Sequence, residues 1–190
     1  LLSGRYKMTP LRISYQTIAF NKVDIHLRTL RNTRQFLDSD GVAEKLGISS
    51  ALWPIFGVVW PSGIVLANFI QGYEHKNKRV LEVGCGIGLT SLILNHFLAD
   101  ITATDIHPEA ENFLKENVLL NKGRDIPFFR TGWGDKKNDM GEFDLIVGSD
   151  LLYEDEHIDL LANFIDQHTK SKCDIIIVDP VRGRNARFSK

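Results

Sequence analysis

The feature that most constrains the fold of this chain is a regular alternation of apolar runs and amphipathic segments, which begins near residue 79. The apolar runs are RVLEVG, DITATD, IPFFRT, EFDLIVGSD and CDIIIVD. Helix-like segments stand at GLTSLILNHFLA, PEAENFLKENVLLNKG and DEHIDLLANFIDQHTK. Strands that alternate with helices form parallel sheets covered on both faces. We therefore predict an α/β fold with one mostly parallel sheet, in which the first and fourth of these strands are adjacent at the centre.

Local residue choices support these assignments. Pro108 would lie in the first turn of the helix after the second strand, and Gly123 just past its end, where proline and glycine are common. The fourth and fifth strands are continuous apolar runs, which are typical of strands buried on both faces. We expect both of them in central, fully buried positions.

The first 78 residues have a different pattern. The stretch YQTIAFNKVDIHLRTL alternates polar and apolar residues and predicts a small hairpin, and VAEKLGIS predicts a short helix. The stretch WPIFGVVWPSGIVLANFIQ leads from an aromatic segment into an apolar helix that we expect to cover the sheet. We predict a single domain over residues 1–190, with an N-terminal extension (1–78) and an α/β core (79–190).

Composition excludes several classes of protein. The 190 residues are 43% hydrophobic and 25% charged with a formal net charge of −1, which is typical of a globular protein and gives no reason to expect a nucleic-acid partner. The apolar runs are too short to span a membrane, and no signal-like segment is present, so the expected location is cytoplasmic. Cys85 and Cys173 are interpreted as reduced thiols, and without a C-x-x-C or H-E-x-x-H pattern no metal site is expected.

The stretch LEVGCGIGLT predicts a nucleotide-cofactor turn. Its glycines stand at positions 84, 86 and 88, between a strand and a helix whose N-terminal N–H groups favour an anionic ligand group. A dinucleotide fingerprint would need a glycine at Leu89, and no Lys-Ser/Thr pair follows to make a P-loop. Asp105 ends the next strand, where a carboxylate can accept hydrogen bonds from both ribose hydroxyls of an adenosine. A tight structural turn is the alternative interpretation.

Four stretches carry a resemblance to a known family. The E-x-G-x-G-x-G pattern from Glu82 to Gly88 resembles motif I of class I S-adenosylmethionine-dependent methyltransferases, which have a Rossmann-like fold. VVWPSGIVLA, FLKENVLLN, and TGWGD followed by EFDLIVGSDLLY resemble segments of the seven-β-strand protein-lysine methyltransferases called family 16. The resemblance covers roughly residues 55–180. It also implies two further C-terminal strands, which we expect to be absent from the chain as given.

The resemblance assigns the D-x-x-Y pair Asp150 and Tyr153 to the substrate end of the site. Both follow the fourth strand, at the edge of the sheet where ligands of such folds gather. A carboxylate suits a basic amine, because it attracts the ammonium form and accepts its N–H hydrogens, and the tyrosine ring offers a π face to a cation. A helix cap plus a core tyrosine is the alternative. The cofactor contacts implied are Trp60, Glu82, Gly84, Cys85, Gly86, Gly88, Asp105, Ile106, Trp133 and Ser149.

The resemblance implies S-adenosylmethionine as cofactor and methyl transfer to a nitrogen, with a protein lysine as the expected acceptor. The alternatives are a small-molecule amine acceptor, as in nicotinamide-type N-methyltransferases, a non-catalytic cofactor-binding module, and an NAD-dependent oxidoreductase. We interpret Trp53 as ordinary core and His107 as a solvated residue at a helix start. A tail with Arg182, Arg184 and Arg187 is expected to be solvated, with contact to an acidic substrate as the alternative.

Overall fold

The computed structural model describes residues 11–32, 35, 41–45, 48, 53–135, 139–153 and 156–180. The N-terminal elements are β1 (Ile13–Ala19), β2 (Asp24–Leu30), α1 (Val42–Lys45), a short 3-10 helix (Trp53–Ile55) and α2 (Pro61–Ile70). The elements that follow are β3 (Arg79–Val83), α3 (Leu89–His96), β4 (Asp100–Asp105), α4 (Ala110–Leu120), β5 (Phe128–Arg130), β6 (Phe143–Ser149), α5 (Glu156–His168) and β7 (Thr169–Val178). The predicted arginine-containing tail lies outside the described residues.

The five strands from β3 to β7 form one sheet in the order β5-β4-β3-β6-β7, and every neighbouring pair is parallel. The predicted parallel sheet, with β3 and β6 adjacent at its centre, is therefore confirmed. The expectation that the fifth strand is central and fully buried is wrong. In the described part of the chain β7 pairs only with β6, so it forms an edge, and Ile175 is 48% exposed.

Helices cover both faces of the sheet, as predicted. Side chains of adjacent strand residues point to opposite faces, and the two buried clusters follow this alternation. Val80 and Val147 belong to the cluster that includes α2, α3 and α4. Leu81 and Ile146 belong to the cluster on α5. The buried face of α2 is formed by Leu66, Ala67 and Ile70, and this helix packs against β6 and β7 as expected.

The predicted N-terminal hairpin is also confirmed, and two asparagines attach it to the rest of the fold. β1 and β2 are antiparallel, with Ile13 opposite Leu30. The side-chain amide of Asn121, the C-cap of α4, accepts from the N–H of His26 at 2.8 Å and donates to its carbonyl at 2.7 Å. Asn117, one helical turn earlier, makes the same pair of bonds to Arg28, at 2.6 and 3.3 Å. Free backbone groups on the edge of β2 are thereby satisfied without another strand.

The borders of two predicted helices shift slightly. α4 begins at Ala110, so Pro108 lies in the turn before the helix rather than in its first turn. The described part of the short helix predicted at VAEKLGIS is α1. None of the helices in the described ranges has the length and apolar character that a membrane crossing requires. The division into an extension (1–78) and a core (79–190) of a single domain stays a prediction.

Candidate active site

A cavity of about 510 Å³ lies at the carboxyl ends of β3, β4 and β6. This volume is within the range of small-molecule and cofactor sites, and the position is where ligands of open α/β sheets bind. Every site residue predicted from the sequence lines this cavity, with the exception of Gly88. The residues brought together are Trp60, Glu82, Gly84, Cys85, Gly86, Asp105, Ile106, Trp133, Ser149, Asp150 and Tyr153.

The glycine turn connects β3 to α3 with its backbone in the left-handed region. Gly84, Gly86 and Gly88 have φ values of 62°, 54° and 81°, which side chains rarely adopt. Around Gly86 a Cβ atom would meet no other atom within 4 Å, and this residue lines the cavity. The turn therefore leaves open space beside its backbone, which is the form expected of a cradle for a ligand.

Gly88 is required for a different reason. It is the N-cap of α3, and a Cβ atom there would lie 2.3 Å from Cδ1 of Leu114 on α4. The third glycine of the pattern thus permits close packing of the two helices and does not line the cavity. Sequence spacing could not separate this packing role from ligand contact, because Leu114 stands 26 residues further along the chain.

Glu82 bonds to the start of α3 rather than pointing only into the cavity. Its Oε2 accepts from the backbone N–H of Ser91 at 2.9 Å and from the Ser91 hydroxyl. The side chain is only 3% exposed. Burial raises the pKa of Glu82 to about 7, although the hydrogen bonds from Ser91 act in the opposite direction. This carboxyl group therefore joins the glycine turn to the first turn of α3.

Asp105 is held by backbone groups on both sides. Its Oδ2 accepts from the N–H of Gly86 and its Oδ1 from the N–H of His107, both at 2.8 Å. Burial raises its pKa, while the backbone hydrogen bonds lower it. Each carboxylate oxygen has a second lone pair, so the anchored group can still accept from a ligand hydroxyl. This arrangement supports the ribose role predicted for Asp105.

The prediction that His107 is a solvated residue is wrong. Its ring is 4% exposed and lines the cavity, because aromatic side chains from a distant part of the chain cover it. Phe56 stacks on the ring at 3.9 Å with 4° between the planes, and the Trp53 ring lies 4.7 Å away. Burial lowers the pKa of His107 to about 3, so the ring is neutral at physiological pH. Trp53 is part of the core, as predicted.

The TGWGD segment forms a tight loop that carries Trp133 to the cavity. Oδ2 of Asp135 accepts from the N–H of Gly132 at 2.6 Å and from the Thr131 hydroxyl at 3.3 Å. The Trp133 ring meets the ring of His157 on α5 at 5.4 Å with 88° between the planes. The loop residues Thr131 and Asp135 and the ring of His157 line the cavity too. Sequence reasoning identified only the tryptophan of this group.

Asp150 and Tyr153 line the cavity at the end of β6, and the two leucines between them are buried core. Asp150 has a left-handed backbone with φ of 54°, and its N–H donates to the carbonyl of Val178 at 3.0 Å. Leu151 packs so closely on the glycine turn that a Cβ at Gly84 would lie 2.6 Å from its Cδ2. The leucines thus attach this segment to the sheet and present the aspartate and tyrosine to the cavity.

Another wall of the cavity comes from the segment Phe56–Trp60, of which only Trp60 was predicted. Gly57, Val58 and Val59 line the cavity together with the two aromatic residues. The indole N–H of Trp60 donates to the carbonyl of Ile55 at 3.2 Å, which closes the segment into a turn ahead of α2. The sequence signal was the aromatic stretch before Trp-Pro, but it did not indicate which side chains face the site.

The cavity is acidic. Among its described lining residues are the carboxyl groups of Glu82, Asp105, Asp135 and Asp150, and none is lysine or arginine. Burial raises the pKa of the Cys85 thiol well above its usual range, with a further contribution from nearby carboxylates, so this cysteine is not an activated nucleophile. Across the described ranges, no group of three His, Cys, Asp or Glu side chains could hold a metal ion.

Comparison with known proteins identifies the family. A family model described as lysine methyltransferase matches residues 47–188. Protein N-lysine methyltransferase METTL21A of Danio rerio is 30% identical over 169 residues, which cover 84% of this chain and 73% of that protein. The electron transfer flavoprotein beta subunit lysine methyltransferase of Xenopus laevis is 30% identical and aligns with 73% of this chain but only 57% of its own length.

A solved structure supports the fold independently of sequence. The T. thermophilus 16S rRNA methyltransferase RsmC, in complex with AdoMet and guanosine, matches with a TM-score of 0.64 at 14% identity, over 88% of this chain and 42% of that one. This likeness confirms the predicted Rossmann-like methyltransferase fold. Membership of the family confirms the predicted enzyme class and S-adenosylmethionine as its cofactor. The comparisons also confirm the predicted lysine methyltransferase function as that of the family. The chain therefore belongs to the lysine methyltransferase family.

Proposed function

We propose that this chain transfers a methyl group from S-adenosylmethionine to the ε-amino group of a lysine in a protein. The acidic cavity is the observation that carries the proposal. The carboxyl groups of Asp105, Asp135 and Asp150, with no described lysine or arginine beside them, suit a cationic sulfonium and an ammonium group, whereas the diphosphate of NAD would be repelled. The relatives named as protein-lysine methyltransferases support a protein acceptor.

The residues of the cavity fit the cofactor. The open space beside Gly86 would take a ligand against the backbone, and Asp105 would accept from the ribose hydroxyls. The remaining cofactor contacts proposed are Trp60, Glu82, Gly84, Cys85, Ile106, Trp133 and Ser149, with Gly88 shaping the turn from behind. When bound, S-adenosylmethionine supplies a methyl group on a positively charged sulfur.

Asp150 and Tyr153 are proposed to orient the accepting amine. Asp150 attracts the ammonium form and accepts its N–H hydrogens, and the Tyr153 ring lines the approach. A lysine must lose a proton before it can act as a nucleophile, since its pKa in water is about 10.4. Desolvation in the cavity lowers that pKa, whereas a carboxylate raises it. Asp150 therefore acts as a positioner, and most of the rate comes from alignment of nucleophile and methyl group.

The test of these roles is Asp150→Asn, because asparagine tolerates the left-handed backbone that the residue adopts here. Loss of a charge-assisted hydrogen bond is worth roughly 1.5–3 kcal/mol, so we expect methylation to slow by about ten- to a hundredfold. Affinity for S-adenosylmethionine should be nearly unchanged. Tyr153→Phe keeps the ring and should be milder than Tyr153→Ala. Unchanged activity per folded molecule in Asp150→Asn would contradict the role.

The acceptor is tested with radiolabelled methyl donor and a whole-cell lysate. Labelled protein bands that resist base treatment are expected, because methyl-lysine is stable to base and carboxyl methyl esters are not. Label found only in small metabolites would mean that the acceptor is a small amine and not a protein.

Titration of the purified chain with NAD and with the methyl donor tests the cofactor, and binding of NAD alone would refute the proposal. A cytoplasmic location is part of the proposal, supported by the free thiols of Cys85 and Cys173.

A further inference from the structure

The segment Phe56–Trp60 forms one wall of the cavity and is attached at two points. At the first point, the carbonyl of Gly57 accepts from the N–H of Leu30 on β2 at 2.7 Å. The approach is so close that a Cβ at Gly57 would lie 2.4 Å from Cδ1 of Leu30. This attachment joins the wall to the hairpin, away from the carboxylate at the end of β4.

The second attachment is the stack of Phe56 on His107. The two ring centroids are 3.9 Å apart and the ring planes are nearly parallel, and the Phe56 ring also meets Phe113 of α4 edge-on at 5.2 Å. Trp53 packs on the same histidine, at 4.7 Å. Trp53 and Phe56 are 6% and 7% exposed. One buried histidine ring thus holds Phe56, the first residue of the wall, and Trp53, which precedes the wall in the chain.

His107 is connected to Asp105 through its own backbone. Its N–H donates to Oδ1 of Asp105, and its ring Nδ1 accepts from the N–H of Glu109 at 3.2 Å. The second bond orients the ring, and it means that the neutral ring carries its proton on Nε2. The same residue therefore touches the cavity wall with its side chain and the proposed ribose acceptor with its backbone.

We infer that His107 is a positioning residue, which couples the placement of the Phe56–Trp60 wall to the Asp105 carboxylate and thereby sets the affinity of the site for its cofactor. The inference deepens the proposed function and rests on it, since the ligand concerned is the methyl donor. Aromatic stacking is worth about a few-fold to tenfold in an equilibrium constant. Loss of the ring should loosen the wall and weaken cofactor binding by about three- to tenfold.

The experiment compares three variants by calorimetric titration with S-adenosylhomocysteine, the stable product. His107→Ala should bind about three- to tenfold more weakly than wild type, and His107→Phe, which keeps a flat ring, should stay within about twofold. His168→Ala is the matched control. Like His107, His168 is a buried histidine in contact with an aromatic ring, that of Phe164 at 4.8 Å, and its Nδ1 donates to the carbonyl of Gly141. Unlike His107, it does not line the cavity. We expect this variant to lose stability but to keep its affinity for the product.

Hydrogen exchange supplies a second readout, which separates local loosening of the wall from a general loss of stability. In His107→Ala without ligand, amides of residues 56–60 should exchange faster than in wild type, while those of α5 should not change. If His107→Ala does not fold, His107→Gln replaces it, because its side-chain oxygen can still accept from Glu109 while the ring is lost. Wild-type affinity in a folded His107→Ala or His107→Gln overturns the inference alone. Absence of binding of S-adenosylmethionine and its product by wild type overturns the proposed function as well.

Discussion

Glu82→Gln should change the pH dependence of stability. The Glu82 carboxyl is buried and its pKa is raised from 4.5 to about 7 in the folded protein. Between these two values the folded state holds a proton that the unfolded chain has released. The free energy of unfolding therefore falls as the pH rises from about 4.5, and it levels off above about 7. Below pH 4.5 both states are protonated, and this group makes no difference to stability.

The magnitude follows from the size of the shift. The shift of 7 − 4.5, about 2.5 pH units, multiplied by about 1.4 kcal/mol per unit gives roughly 3 kcal/mol. A glutamine at this position cannot ionise, and its amide oxygen can still accept from the Ser91 N–H and hydroxyl. The variant should therefore avoid the cost of burying a charge. Relative to wild type, it should gain up to roughly 3 kcal/mol between pH 4.5 and pH 8.

Urea unfolding of both proteins at half-unit pH intervals from 4.5 to 8.5, without cofactor, measures this difference. Glu116→Gln is the control, because Glu116 is an exposed carboxylate on α4 and the variant makes the same chemical change without a buried group. If the Glu82→Gln and wild-type curves run parallel, Glu82 is ionised in the folded state throughout this range. In that case burial does not raise the pKa of Glu82.

Two further pairs of variants test the hairpin attachment and the glycine turn by urea unfolding. Asn117→Ala removes three hydrogen bonds of a fully buried amide and should lower the free energy of unfolding by roughly 1–3 kcal/mol. Asn121→Ala should lower it by no more than about 1 kcal/mol. Equal losses would contradict the idea that burial of the Asn117 amide makes its hydrogen bonds the more costly to remove. Gly88→Ala should lower it by roughly 2–5 kcal/mol, because left-handed strain and the clash with Leu114 add together. A Cβ atom at Gly86 meets no neighbouring atom, so Gly86→Ala should lower the free energy of unfolding by only about 1–2 kcal/mol. It should weaken the binding of S-adenosylmethionine at least about tenfold. A larger loss of stability than in Gly88→Ala would refute the assignment of Gly86 to ligand contact and of Gly88 to packing.

Much of the fold could be predicted because its signals are local. The order of strands and helices, the hairpin and the glycine turn each depend on the periodicity or composition of a few neighbouring residues. The site could be predicted for a related reason. Parallel strands end at the same edge of a sheet, so motifs that follow β3, β4 and β6 must meet there. Asp105, Asp150 and the residues around Gly86 accordingly line one cavity.

The sequence by itself thus determined the α/β class, the place of the site and the residue types available there. The tertiary structure alone decided what several of these residues do. Glu82 reaches the start of α3, Gly88 accommodates Leu114, and His107 is buried beneath Phe56, which stands 51 residues earlier in the chain. The physical reason is that burial and hydrogen bonding depend on neighbours in space, and elements distant in the chain supply them. A pattern of neighbouring residues in the sequence cannot predict such contacts between distant elements.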